Sequence, residues 1–209
     1  KKTFSEYSRF PKYSTWEALA NSGGIQFPII LIAGIMAGPE AGFIMLAMRL
    51  LSAPMALLGG AVSQVYLSEA ANKHQIGELE EFTRKIVLQL AKVGLMPILL
   101  VAIGAPFLVP LIFGAEWTRV GLLISWMAPW FLMQFIASPV SMSLHIIGKQ
   151  KEALILQVAG LFFRVGTVMG ASMYIDQWVG EAYALSGIVF YAFYIVVILY
   201  LLNKSARPL

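Results

Sequence analysis

The chain of 209 residues contains no cysteine, so disulfides, thiolate nucleophiles and cysteine metal sites are excluded. Its two histidines, His74 and His145, are too far apart to form a zinc motif. Charge is scarce too: Asp, Glu, Lys and Arg make up 12% of the residues, where about 25% is usual. Apolar residues reach 59%, against roughly 45–50% in soluble domains. An ordinary soluble enzyme is therefore excluded. The apolar residues fall in runs of about 20, the length with which a helix crosses roughly 30 Å of hydrocarbon. The chain reads as an all-α, polytopic membrane protein. A formal net charge of +4 would suggest nucleic acid in a soluble chain, but here topology places the charge first. No nucleic-acid partner and no cofactor is expected.

The sequence opens on Lys1, and residues 1–15 are polar and aromatic, without the basic, apolar and small-residue order of a signal peptide. Residues 1–16 are expected to be a cytoplasmic lead-in loop, with further protein upstream. Six spans are expected at about 17–38, 42–67, 86–113, 119–147, 152–174 and 181–203, forming one six-helix lobe over 17–203, followed by a cytoplasmic tail at 204–209. The connections carry breakers: Gly38-Pro39-Glu40, Gly114-Ala115-Glu116, Gly148-Lys149 and Asp176 to Gly180. The stretch 68–85 is expected to be the longer, partly helical loop.

Basic residues near span ends are retained on the cytoplasmic face. One side of this pattern holds Lys1, Lys2, Arg9, Lys12, Lys73, Arg84, Lys85, Lys149, Lys151, Lys204 and Arg207, while the other holds Arg119 with Glu40, Glu116, Asp176 and Glu181. Both ends of the segment are therefore expected in the cytoplasm. Trp16, Tyr66, Trp117, Trp178 and Tyr200 fall near span ends, where amphipathic rings sit at headgroup level. Pro28, Pro54, Pro97, Pro106, Pro110, Pro129 and Pro139 lie within spans. Such prolines mark either common helix irregularity or the bent helices around a transport cavity, and their number alone does not choose.

Three cations remain inside apolar segments: Arg49, Lys92 and Arg164. Lys92 is close enough to the cytoplasmic end to snorkel. Arg164 lies near the middle of its span, where arginine costs about 2.5–3.5 kcal/mol and must face protein or a water-filled cavity. Gln157, Gly160, Thr167 and Ala171 share its side of the helix, and Ser52, Ala53, Ala56, Gly60, Ser63 and Gln64 share that of Arg49. Trp130, Gln134, Ser138, Ser141 and His145 form a third polar stripe, and Asn21, Gly24 and Pro28 begin a fourth. Gly166 and Gly170 form a small-xxx-small pair suited to close helix packing. No acid is expected within the spans, so the two arginines either face a ligand cavity or bond helix carbonyls. His145 reads as an interfacial hydrogen-bonding residue and His74 as a loop residue.

Phe10-Pro11, Asn21-Ser22, Phe27-Pro28, Gly42-Phe43, Ala47-Met48-Arg49-Leu50-Leu51, Pro54, Leu58-Gly59 and Gln64-Val65 resemble the entry into the second half of polysaccharide (O-antigen-type) flippases. These belong to the multidrug, oligosaccharidyl-lipid and polysaccharide exporter superfamily. Ile112-Phe113-Gly114 with Trp117, and Gly148-Lys149-Gln150, extend the resemblance over nearly the whole chain. The resemblance implies a transporter of two six-helix lobes around a central cavity, this chain being the C-terminal lobe and the N-terminal lobe its partner. It further implies alternating-access movement of polyprenyl-pyrophosphate-linked oligosaccharide across the bacterial inner membrane, for surface polysaccharide such as the lipopolysaccharide O-antigen. Ala47 to Leu50 is similar to an Ala-Asp-Arg-Leu stretch of peptidoglycan-precursor flippases, whose arginine lies in the cavity. Met48 replaces the aspartate, so only the arginine role carries over, to Arg49.

Arginine holds phosphate oxygens bidentately, which suits a pyrophosphate. Candidate substrate-binding residues are Arg49, Arg164, Gln64, Gln134, Gln157 and Asn21. A drug or cation exporter of the same superfamily is the alternative, and would favour carboxylates or aromatic surfaces in the cavity. A membrane-embedded transferase acting on the same lipids is a third reading, against which stands the lack of a metal motif or an activated nucleophile. The protein is not expected to be an enzyme.

Overall fold

The computed structural model describes the backbone of residues 9–36 and 38–206, and the side chains of these apart from 9–12, 54, 56–58 and 206. The described residues form helices α1 (Arg9–Ile35), α2 (Glu40–Gln75), α3 (Leu79–Phe113), α4 (Thr118–Val140), the short α5 (Met142–Ile146), α6 (Gln150–Tyr174) and α7 (Val179–Ala206). Single 3-10 turns at Ala115–Trp117 and Asp176–Trp178 lead into α4 and α7. No strand occurs among the described residues. Among the described residues, five segments are long and apolar enough to cross a membrane: Tyr13–Ile35, Leu79–Phe113, Ala115–Ile146, Gln150–Tyr174 and Asp176–Ser205. Between Ala41 and Gly60 of α2 the only charged residue is Arg49.

Helix α4 is the central element. It packs on α2, α3 and α7, while α1 lies mainly against α6. Its core side chains, among them Leu123, Met127, Trp130 and Val140, are fully buried, and most of its length is covered by neighbours. By contrast α3 presents Val93, Met96, Leu100, Ile103, Phe107 and Leu111 outward, as a lipid-facing helix should.

The prolines are accommodated by packing. Pro106 has no N–H to give the carbonyl of Ala102, its partner four residues back. The Ser125 hydroxyl of α4 donates to that carbonyl at 2.5 Å. The exchange needs close approach of the two helices, and Gly121 permits it: a Cβ there would lie 2.7 Å from the Ala105 carbonyl oxygen and 2.8 Å from Pro106 Cα. The run Thr118 to Ile146 breaks at Ser141, two residues beyond Pro139.

Two boundaries differ from the sequence reading. Helix α1 begins at Arg9, so residues 9–16 of the expected lead-in loop are helical, while residues 1–8 lie outside the described residues, as do 207–209 of the tail. The stretch 68–85, expected as a longer, partly helical loop, is helical apart from the turn at 76–78 and forms a hairpin. Its turn at Ile76–Glu78 uses Gly77 at φ +78°, a value that favours glycine. Lys73 Nζ lies 2.7 Å from Glu78 Oε2 across the turn, and the hydrogen bond and charge of Glu78 raise the Lys73 pKa. Tyr66, expected at a headgroup boundary, is buried. It shares a 2.7 Å hydrogen bond with Thr83 and stacks on Phe82, because the two helices continue past the apolar stretch and cover it.

One end of the bundle is tied by Arg119. Its Nη2 lies 2.7 Å from Glu40 Oε1 and 2.8 Å from Glu181 Oε2, joining the first turns of α2, α4 and α7. Carboxylates at helix N-termini also favour the local dipoles. The other end of the bundle gathers the start of α1, the ends of α4 and α7 and the start of α6, so successive long helices alternate in direction.

Candidate functional site

Three adjoining recesses open between α1, α2, α4, α6 and α7, and Gln134 lines all of them. A recess of about 560 Å³ lies between α1, α2 and α4, with Arg49, Ser52, Gln26 and Gln134 as its polar groups. No acid is among its lining residues. Arg49 is exposed, and no ion pair of Arg49 occurs among the described residues. A second, of about 350 Å³, continues along Ser52, Gly59, Gly60 and Ser63 of α2 and reaches Ser138 of α4.

The third, of about 330 Å³, lies between the start of α1, the α4–α5 junction, α6 and α7. Its wall includes Asn21, Gln134, Ser138, Ser141, His145 and Gln157. The helical spacing of the α4 stripe explains why Gln134, Ser138, Ser141 and His145 meet here. Glu17 was not among the sequence candidates. It belongs to this wall, with His145 Nε2 3.1 Å from its Oε2 and both side chains largely covered. The expectation of spans free of acid is thereby corrected: the first apolar segment starts at Tyr13, which brings Glu17 inside the bundle. The signal was its position one turn before Asn21 on the same helical side.

Arg164 stands apart from these recesses. It is 1% exposed, with its guanidinium carbon 4.3 Å from the centroid of Phe190, 5.1 Å from Tyr191 and 5.6 Å from Trp130. Desolvated cation–π contacts contribute about 2 kcal/mol or more, enough to offset the approximately 2.5–3.5 kcal/mol of placing arginine at a span centre. Three glycines make the room. A Cβ at Gly160 would lie 2.1 Å from the Phe190 ring, one at Gly187 2.2 Å from Trp130, and one at Gly24 3.0 Å from Arg164 Nη1. Trp130, placed by spacing in the polar stripe, belongs to this cage.

Of the six sequence candidates, Asn21, Gln134 and Gln157 meet in one recess, and Gln134 joins them to the recess of Arg49. Gln64 is exposed on α2 and is not among the residues lining the three recesses, nor is Arg164. Lys92 is exposed on α3. Gly166 and Gly170 have no atom within 4 Å of a Cβ position, so the close packing expected of them is not made among the described residues. His74 lies in the last turn of α2.

The class these features define is an all-helical membrane protein with a polar, cation-bearing recess. Residues 1–121 match the family described as polysaccharide biosynthesis protein. The chain belongs to that family, which points to a part in making or exporting polysaccharide. No curated protein and no solved structure matches the chain.

Proposed function

We propose that this chain is the C-terminal, six-helix lobe of a transporter that flips polyprenyl-pyrophosphate-linked oligosaccharide across the bacterial inner membrane by alternating access. In this reading α2 is the sixth span, both ends are cytoplasmic, and the N-terminal lobe of the same polypeptide closes the open side of the recesses. The observation that carries the reading is Arg49 in an acid-free recess of about 560 Å³. A guanidinium there answers the charge and paired oxygens of a pyrophosphate, and the adjoining amides and hydroxyls give the attached sugars polar walls. The membership in a polysaccharide biosynthesis family supports the same cargo. The protein acts by binding and moving its cargo, and no catalytic step is assigned to it.

Cells lacking the protein test this reading. Lipid-linked repeat units should accumulate on the cytoplasmic face of the inner membrane, and their normal appearance outside would contradict it. Glu17 with Tyr191 and Tyr194 in the third recess is the feature that favours the alternative, an exporter of drugs or organic cations. Under that reading the deletion strain would become sensitive to cationic drugs while its surface polysaccharide stayed intact.

A further inference from the structure

The third recess has a wall of unanswered polar groups. Ser14 Oγ and Asn21 Oδ1 are buried atoms without a hydrogen-bond partner in the described structure, the Tyr194 hydroxyl interacts with the side chain of Gln157, and all four residues line this one cavity. Gln157 is 6% and Tyr194 2% exposed. Native proteins leave few such groups, and each costs about 1–3 kcal/mol when unsatisfied. Two in one cavity, beside the Gln157–Tyr194 pair, call for an occupant able both to donate and to accept.

The donor set narrows the chemistry. Amide oxygens accept, while hydroxyls of Ser14 and Tyr194 do both, which is the complement of a ligand rich in neutral hydroxyls. Glu17, the one acid in the wall, repels a pyrophosphate and leaves it to the acid-free recess of Arg49. No cluster of three His, Asp or Glu able to hold a metal ion occurs among the described residues. Tyr191 and Tyr194 add ring surface, whose negative face attracts the weakly polarised C–H groups of a sugar ring. The volume of about 330 Å³ is at the lower end of the roughly 300–1,000 Å³ of small-molecule sites, a fit to part of an oligosaccharide.

We propose that this recess is a saccharide subsite, which takes neutral sugar hydroxyls of the cargo on Asn21, Gln157, Tyr194 and Ser14 while Arg49 holds the pyrophosphate. The assignment rests on the transporter reading above. Gln134, shared by both recesses, marks where the first sugar joins the pyrophosphate.

The test uses the full-length protein in lipid nanodiscs and two probes: the lipid-linked repeat unit extracted from the host, and polyprenyl pyrophosphate without sugar. Gln157→Leu and Asn21→Leu should each weaken the sugar-bearing lipid by about 3–10-fold, the loss of one net hydrogen bond, and leave the bare lipid within about twofold. Equal weakening of both probes, or of neither, would overturn the subsite. Ser14→Ala, at the start of α1, gives the same comparison if the leucine variants are not monodisperse. The transporter reading fails separately: it is lost if Arg49→Ala binds bare polyprenyl pyrophosphate like the unmodified protein, whatever the amide variants do.

Discussion

His145 Nε2 lies 3.1 Å from Glu17 Oε2, joining two residues separated by most of the described chain. The contact holds the first turns of α1 against α5, and both residues belong to the wall of the third recess. Replacing His145 with leucine leaves a largely covered carboxylate without this partner, and should destabilise the protein by about 1–3 kcal/mol. The double variant Glu17→Leu/His145→Leu should recover part of the loss, with a coupling of about 0.5–3 kcal/mol. Thermal unfolding in detergent reads both, and strictly additive losses would show that the two side chains do not act as a pair.

The Arg164 cage makes a contrast with Arg49. Arg164→Met should lower thermal stability and membrane abundance, since it removes the cation from three rings while leaving the recess walls in place. Binding of polyprenyl pyrophosphate per folded molecule should stay near that of the unmodified protein. Reduced affinity at unchanged stability would move Arg164 into the binding site.

Two glycine substitutions on α6 should have opposite signs. Gly160→Ala drives a methyl into the Phe190 ring and should cost about 1–3 kcal/mol. Gly166→Ala meets nothing within 4 Å and gains about 0.5–1 kcal/mol of helix preference. The midpoint of thermal unfolding should fall for the first and rise for the second, and a fall for both would show that Gly166 packs against another surface in the full-length protein.

These contacts show how far the sequence could be read. Runs of apolar residues mark five membrane-length segments among the described residues, because lipid demands length and hydropathy and little else, while α2 is not among them. Helical spacing grouped Gln134, Ser138, Ser141 and His145 correctly, since one helix determines which of its own residues share a face. Arg164 was legible as a buried cation but its rings were not, because Trp130 and Phe190 come from two other helices and spacing carries no information across elements. Glu17 was hidden by a boundary: placed at the first residue of a span it reads as solvated, and a helix starting a turn or two earlier buries it. Ser125 and Pro106 were legible only separately. The orphan carbonyl of Ala102 follows from the proline, yet which hydroxyl answers it depends on how α4 docks.

The proposed topology is open to single-cysteine labelling, as the chain has no cysteine of its own. Cysteine at Glu116 or Asp176 should react with an impermeant thiol reagent added outside intact cells, while cysteine at Lys149 or Lys204 should react only after permeabilisation. Glu40 is a poor site for this purpose, because removing it takes one carboxylate from Arg119. The reverse pattern would invert the orientation and with it the direction of the proposed transport.

The central claim is that Arg49 holds the pyrophosphate of a lipid-linked oligosaccharide, and transport by Arg49 variants of the full-length protein at matched membrane abundance tests it most directly. A charge-assisted contact contributes about 1.5–3 kcal/mol, so Arg49→Ala should reduce lipid-linked oligosaccharide transport by at least about tenfold. Arg49→Lys should restore only part of it, because an ammonium keeps the charge and lacks the two-pronged face. Transport by Arg49→Ala at the level of the unmodified protein would contradict the account.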